Sequence, residues 1–177
     1  NTETAITVYF HKYRNNLHEI LPMKAYAIEL GFSFSETWAY YMPYEKVADY
    51  VEGLLPVKDQ LFIESQFALP IRKAVEEAKA YKDDPCVLLE NQIVLDLKGH
   101  LVLCCAVYDY EKNKLGSFLD LKPEDVQKVK QHHPSCQRCA SHGLHKYFLF
   151  DGDPKLKPIY ERLTQESLQG NLNLPLE

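Results

Sequence analysis

Ala5-Ile6-Thr7-Val8-Tyr9-Phe10, residues 5–10, opens the stretch that decides the fold class. Its β-branched and aromatic side chains read as a buried strand. The polar run His11-Lys12-Tyr13-Arg14-Asn15-Asn16 follows. Pro22 then suits the first turn of a helix that carries Met23, Ala27, Ile28 and Leu30, with Gly31 at its C-terminal stop. Phe32 to Tyr40 reads as a second strand. Pro43 and Glu45 open a second helix through Val47, Tyr50 and Val51, ended by Gly53. A β-α-β-α order with short connections predicts parallel strands with helices packed outside them, an α/β fold.

Further along, Leu54 to Gln66 shows no clear period. Beyond Pro70, Ile71, Ala74, Val75 and Ala78 recur at helical spacing while Arg72, Lys73, Glu76 and Glu77 fill the other face. Lys82-Asp83-Asp84-Pro85 breaks that helix, and a domain boundary is drawn there, dividing residues 1–82 from 83–177. Gln92 to Leu97, Lys98-Gly99 and His100 to Tyr108 predict a β-hairpin with a tight glycine turn. Leu115-Gly116-Ser117-Phe118-Leu119 is a short extended piece. Lys122-Pro123-Glu124-Asp125 starts a brief helix, with acids in its first turn and Lys128 and Lys130 toward its end, matching the helix dipole. Tyr147-Phe148-Leu149-Phe150 reads as a core strand.

The composition narrows the class. With 46% hydrophobic and 25% charged residues among 177, the chain can bury a sizeable core, and disorder, collagen and coiled coil are excluded. The longest apolar stretches, such as Leu101 to Val107, fall far short of the roughly 20 residues a membrane helix needs. No signal peptide is visible, and no membrane partner is expected. The first residue is Asn1 rather than methionine, so a processed or truncated piece is expected. Twenty-five acidic residues against 20 basic ones give a net charge of -5 with no Lys/Arg block, which argues against nucleic acid as the main partner. The twelve tyrosines form no evident stacking platform for bases.

The five cysteines are Cys86, Cys104, Cys105, Cys136 and Cys139. An odd set confined to one half of the chain reads as a ligand set rather than a disulfide framework, and points to a reducing, cytoplasmic compartment. Across the hairpin the pattern is Cys86-x12-Gly99-x4-Cys104, followed by Cys136-x2-Cys139 in a predicted loop. Four thiolates brought together suit either a [4Fe-4S] cluster or structural zinc. Strand alternation places Leu101, Leu103, Cys105 and Val107 on one face, so Cys105 is expected in the core. Cys104, on the other face and at the Gly-x4-Cys spacing, is the expected ligand. His100, His133, His142 and His145 are expected at the surface or behind the ligands.

Taken together, the Cys86-x12-Gly99-x4-Cys104 pattern, Leu115 to Leu119 with the acidic-start helix, and Cys136-x2-Cys139 resemble the auxiliary-cluster region of radical S-adenosylmethionine (SAM) enzymes. More narrowly, this part is similar to the shortened "twitch" form of the SPASM domain. The resemblance spans roughly Cys86 to His145, and the preceding β-α-β-α segment fits the last units of the partial (β/α)6 barrel of those enzymes. It implies that Cys86, Cys104, Cys136 and Cys139 hold one auxiliary [4Fe-4S] cluster. It also implies that SAM and a second [4Fe-4S] cluster belong to the complete enzyme. The family's Cys-x3-Cys-x2-Cys motif is absent from these residues, so the chain alone is not expected to cleave SAM. The expected partners are an N-terminal radical SAM half, in the same or a separate chain, a peptide or small-molecule substrate, and an electron donor such as flavodoxin or ferredoxin.

In a parallel barrel the C-terminal strand ends line the active site. On that ground His11, Arg14 and Asn15, with Glu36, Trp38 and Tyr40, are candidates for contacts to SAM or substrate. The competing reading of the same residues is a solvated loop after the first strand and a core tryptophan. The alternative for the whole chain is a zinc-stabilised, non-enzymatic protein-interaction module.

Overall fold

The computed structural model describes residues 4–149 and 152–170. The fold is mixed α/β, 48% helical and 13% strand, with two small sheets. Strand β1 (Thr7–Lys12), helix α1 (Ile20–Glu29), strand β2 (Ser33–Trp38) and helix α2 (Tyr44–Val51) follow the order the sequence predicts. The two strands pair in parallel, Thr7 beside Ser33 through Lys12 beside Trp38. Gly31 and Gly53 both take positive φ just beyond their helices, where a side chain is strained. Among the described residues β1 pairs with β2 alone.

The segment without a clear period folds as α3 (Val57–Gln66), where Ile63 is buried. Helix α4 (Ile71–Lys79) buries Ile71, Ala74, Val75 and Ala78, the stripe read from its spacing. Short helix α5 (Val87–Asn91) starts directly after Cys86. The hairpin is present but shorter than expected. Strand β3 (Val94–Leu95) pairs antiparallel with β4 (His100–Val102) about Gly99, and β5 (Lys114–Ser117) adds a third strand on the far side of β4.

Because β4 stops at Val102, the alternation that placed Cys105 in the core does not reach it. Leu101, Val102 and Leu103 are all buried in succession, and Cys105 is exposed. The expected core cysteine is therefore a surface thiol.

Helix α6 (Pro123–His132) forms as predicted, and α7 (Pro134–Ser141) follows at once. Cys136 and Cys139 thus lie on a helix, not in a loop. Pro134 suits the first helical turn, and the His133 ring accepts the Ser135 N–H as the N-terminal cap. The expected strand at Tyr147 is also corrected. Tyr147 closes a short helix, α8 (Leu144–Tyr147), and Phe148 caps it; Phe150 lies outside the described residues. Helix α9 (Lys157–Gly170) packs Tyr160 and Leu163 back onto α4.

One apolar core runs through Val47, Tyr50, Leu69 and Val75 to Val102, Leu144, Tyr147 and Tyr160, so packing is continuous across position 82/83. No helix among the described residues is long and apolar enough to cross a membrane.

Candidate functional site

Three short segments bring four cysteines to one small cavity. Cys86 stands at the N-terminus of α5, Cys104 two residues past β4, and Cys136 and Cys139 one turn apart on the same face of α7. All four line a cavity of about 50 Å³, walled otherwise by Leu88, Leu89, Leu103, Ala106, Val107 and Phe148, with Tyr44, Ser135 and His145 as its polar members. Every cysteine of the chain is a free thiol. Cys105, the fifth, lies outside the lining.

The surrounding backbone holds these segments in place. The Ala106 N–H donates to Cys104 Sγ at 3.4 Å, and the Leu89 N–H donates to Cys86 O at 3.0 Å, which starts α5 directly at that cysteine. Asn113, 2% exposed, accepts the Ser135 hydroxyl at 2.9 Å and so fixes the first turn of α7. Tyr44 N–H donates to Ala106 O at 2.8 Å, tying the start of α2 to the loop of Cys104.

In the metal-free protein the cavity disfavours thiolates. Burial pushes the Cys86 and Cys139 thiols up, and Cys136 up to about 11. Cys104 and Cys105 titrate together. The hydrogen bond between them, more than burial, holds the Cys104 proton on and moves the thiolate to exposed Cys105. His145 is 3% exposed; its Nε2 meets Asp84 O at 3.0 Å, which leaves Nδ1 buried without a partner. A bound cation reverses the thiol preference, because metal ligation requires the deprotonated form.

Four cysteines lining one cavity are the donor set that a [4Fe-4S] cluster or a structural zinc would take. A single zinc asks for tighter convergence, with sulfurs about 3.8 Å apart when each Zn–S bond is about 2.3 Å. Among the described residues no group of three or more His, Cys, Asp or Glu side chains is drawn together to hold one metal ion.

The six residues expected to contact SAM or substrate do not gather at one place. His11 and Tyr40 line an open aromatic cleft with Tyr13, Tyr41, Phe67 and Tyr108. Parallel pairing puts Glu36 and Trp38 on the opposite face of the sheet from His11, where Glu36 pairs with Lys12 at 3.4 Å and the Lys12 ammonium sits 4.3 Å from the Trp38 ring centre. Arg14 faces away from that cleft. Its Nε donates to Phe67 O at 2.8 Å and its terminal nitrogens bond Ser167, clamping the β1–α1 connection to α9. Asn15 is exposed.

Sequence reasoning did not single out Tyr41, Phe67 and Tyr108, which belong to the cleft only through tertiary packing. The cleft borders the cysteine cavity. Tyr40 stands 6.3 Å from Tyr147 and 6.5 Å from Phe148, ring centre to ring centre, and Phe148 is part of the cavity wall. The four cysteines, by contrast, carried a sequence signal in their spacing.

Compared with known proteins, the chain matches no family model, no curated protein and no solved structure.

Proposed function

We propose that the chain is the C-terminal portion of a cytoplasmic radical SAM enzyme. In this reading residues 1–82 are the last units of a partial (β/α)6 barrel, and residues 83–177 form a twitch-type region holding one auxiliary [4Fe-4S] cluster on Cys86, Cys104, Cys136 and Cys139. The observation that carries it is the convergence of these four thiols, up to 53 positions apart in sequence, on one cavity, with the Ala106 N–H donating to Cys104 Sγ. A donor of that kind stabilises a cluster's sulfur and tunes its potential.

The N-terminal half supports the same reading. Two parallel strands are not a stable sheet on their own; parallel sheets are buried and flanked by further β/α units. Helix α1 exposes Leu21, Met23, Tyr26 and Ile28, an apolar surface suited to such a neighbour. A unit carrying the Cys-x3-Cys-x2-Cys motif, SAM and the second cluster would lie there.

When bound, the cluster supplies a one-electron acceptor or donor beside the aromatic cleft. The chain's own residues do the rest. Four thiols occupy its ligand positions, Leu88, Leu103, Val107 and Phe148 exclude water, and the aromatic cleft of Tyr13, Tyr40, Tyr41 and Phe67 offers a surface for a peptide or small-molecule substrate.

Anaerobic reconstitution with iron and sulfide tests the assignment. The expected product is brown, with about four irons per chain, retained in Cys105→Ala and lost in Cys104→Ala. A colourless protein holding one zinc, or equal iron loss in both variants, overturns it.

A further inference from the structure

Lys130 is a buried cation that lines an open cleft. It stands near the C-terminus of α6, 2% exposed, and its Nζ, which has three N–H donors, gives one to Gln92 O at 2.8 Å. Among the described residues no Asp or Glu pairs with it. The other buried lysine shows what is missing: Lys146, 5% exposed, meets Asp153 at 3.3 Å and Asp84 at 3.5 Å. Buried charges are normally paired, because an ammonium without a carboxylate loses its hydration with little in return.

The cleft beside Lys130 has a volume of about 430 Å³, the size of a small-molecule site, and no cysteine lines it. Helices α5 and α6, which pack on each other, border it together with Leu101 of β4. Leu101 and Val126 are buried parts of its apolar wall, and Leu121 and the exposed Phe118 extend that wall outward. Val126 and Lys130 are four residues apart on α6, so they share one face of the helix.

A second polar group there lacks a partner. Gln92 lines the same cleft, and its Oε1 is buried with no hydrogen-bond partner among the described residues. Buried acceptors left in that state are uncommon. An ammonium and an amide oxygen thus border one cavity, each short of its complement. Together they call for a ligand with an anionic oxygen for Lys130 and an N–H for Gln92, on an apolar body. Glu90 and Glu124, both exposed, line the cleft as well, neither within ion-pair reach of Lys130. Their charge works against a ligand of more than one negative charge, such as a phosphate ester.

We propose that this cleft binds an α-carboxylate with an N–H on the same carbon and a large apolar side chain, the chemistry shared by a free apolar amino acid and the C-terminal residue of a peptide. The carboxylate pairs with Lys130, the N–H donates to Gln92 Oε1, and the side chain packs on Leu101, Leu121, Val126 and Phe118. The inference goes beyond the cluster reading and does not depend on it.

The test is calorimetric titration of the full chain with four probes. N-acetyl-L-leucine and L-leucine carry every group the cleft calls for, N-acetyl-L-leucinamide lacks the carboxylate, and 4-methylpentanoate lacks the N–H. One of the first two is expected to bind at one molecule per chain, at least about tenfold more tightly than the amide, as a charge-assisted hydrogen bond to a buried group requires. Tighter binding of L-leucine identifies a free amino acid as the ligand, and tighter binding of N-acetyl-L-leucine a peptide C-terminus; either supports the site. Equal binding of acid and amide overturns the role of Lys130, and equal binding of 4-methylpentanoate overturns the α-amino-acid class. No uptake of either leucine acid at about 10 mM overturns the site and leaves the cluster reading intact.

Lys130→Met is expected to weaken the acid by at least about tenfold and to leave the amide unchanged. Wild-type affinity for the acid in this variant overturns the proposal. Where the variant does not fold, the acid-against-amide comparison on the wild-type chain decides. Amide chemical shifts locate the probe: changes centred on residues 89–93 and 118–130 are expected, whereas changes centred on the aromatic cleft of Tyr40 and Phe67 overturn the assignment.

Discussion

Gly143 lies against the backbone of Ala78, so close that a Cβ on Gly143 would stand 2.8 Å from the Ala78 carbonyl oxygen and 2.8 Å from Lys79 Cα. The turn between α7 and α8 is thereby seated on the C-terminal end of α4, and α7 carries Cys136 and Cys139. Gly143 also has φ +69, a conformation that strains any side chain. Gly143→Ala is expected to cost about 2–4 kcal/mol, combining left-handed strain with overpacking against a backbone that cannot swing aside. Gly53→Ala is the matched comparison, with φ +76 and nothing within 4 Å. It is expected to cost only about 1 kcal/mol. Urea unfolding of both variants checks the difference, and equal costs would show that the close approach to Ala78 contributes nothing.

Much of this architecture was legible in the chain itself, and the exceptions share a cause. The stripe of Ile71, Ala74, Val75 and Ala78, and the glycine stops at Gly31 and Gly53, are local signals that the fold obeys. Cys105 was misplaced because alternation was extended through residues that leave the strand after Val102; Leu103 stays buried through tertiary packing, not through register. Cys136 and Cys139 read as a loop, since Pro134 and Ser135 are turn formers as well as helix starters. The cap that decides the matter comes from the His133 ring, a residue with no strong capping preference. Tyr147 and Phe148 are apolar enough for a strand, and only their packing under Tyr40 and Tyr41 selects a helical turn. The convergence of four cysteines was readable as spacing. The buried Lys130 was not, because its sequence position looks like an ordinary dipole-matching lysine.

The His133 cap predicts a pH dependence. Its Nδ1 accepts the Ser135 N–H at 3.2 Å, so the cap requires a ring nitrogen with a free lone pair. Burial holds the His133 pKa below its ordinary 6.5. The unfolded chain therefore binds a proton more readily than the folded one, and the stabilisation is complete above pH 6.5 and is lost progressively as the pH falls below it. Replacing His133 by Ser, a non-titrating cap, is expected to flatten the stability profile of the metal-free protein between pH 6.5 and the lower folded value. Parallel profiles for wild type and His133→Ser would rule the cap out as the source.

Arg138 ties α7 to α2 in a different way. Its guanidinium bonds Glu52 through Nε at 3.1 Å and a terminal nitrogen at 2.6 Å, and reaches Asp49 at 2.9 Å, while His142 closes on Glu52 at 2.7 Å. The hydrogen bonds from Arg138, before any other cause, hold the Glu52 carboxyl below its usual 4.5. Its contribution is present above pH 4.5 and is lost as the pH falls through the lower folded value. The arginine side chain is 34% exposed, so solvent screening reduces the benefit, and Arg138→Ala is expected to cost about 1 kcal/mol. Arg138→Lys is expected to recover little of it, because an ammonium cannot reproduce the two-pronged contact. Unfolding at pH 7 and again near pH 3 checks both points, and a cost that persists undiminished in acid would place it in packing instead.

The thiols themselves separate into two reactivities. Cys105 is exposed, and its hydrogen bond with Cys104 favours the thiolate there, whereas burial keeps Cys86, Cys136 and Cys139 protonated. Alkylation proceeds through the thiolate, so both access and protonation state point the same way. In the metal-free protein at pH 7, iodoacetamide is expected to label Cys105 at least about tenfold faster than any of the four cavity cysteines. Loading with iron and sulfide is expected to abolish labelling at Cys86, Cys104, Cys136 and Cys139 and to leave Cys105 reactive, because a sulfur bonded to iron is no longer a free nucleophile. Peptide mapping by mass spectrometry reads both patterns from one sample. Protection of Cys105 on loading, with Cys104 left reactive, would reverse the assignment of the ligand at that pair and move the site to the surface side of the hairpin.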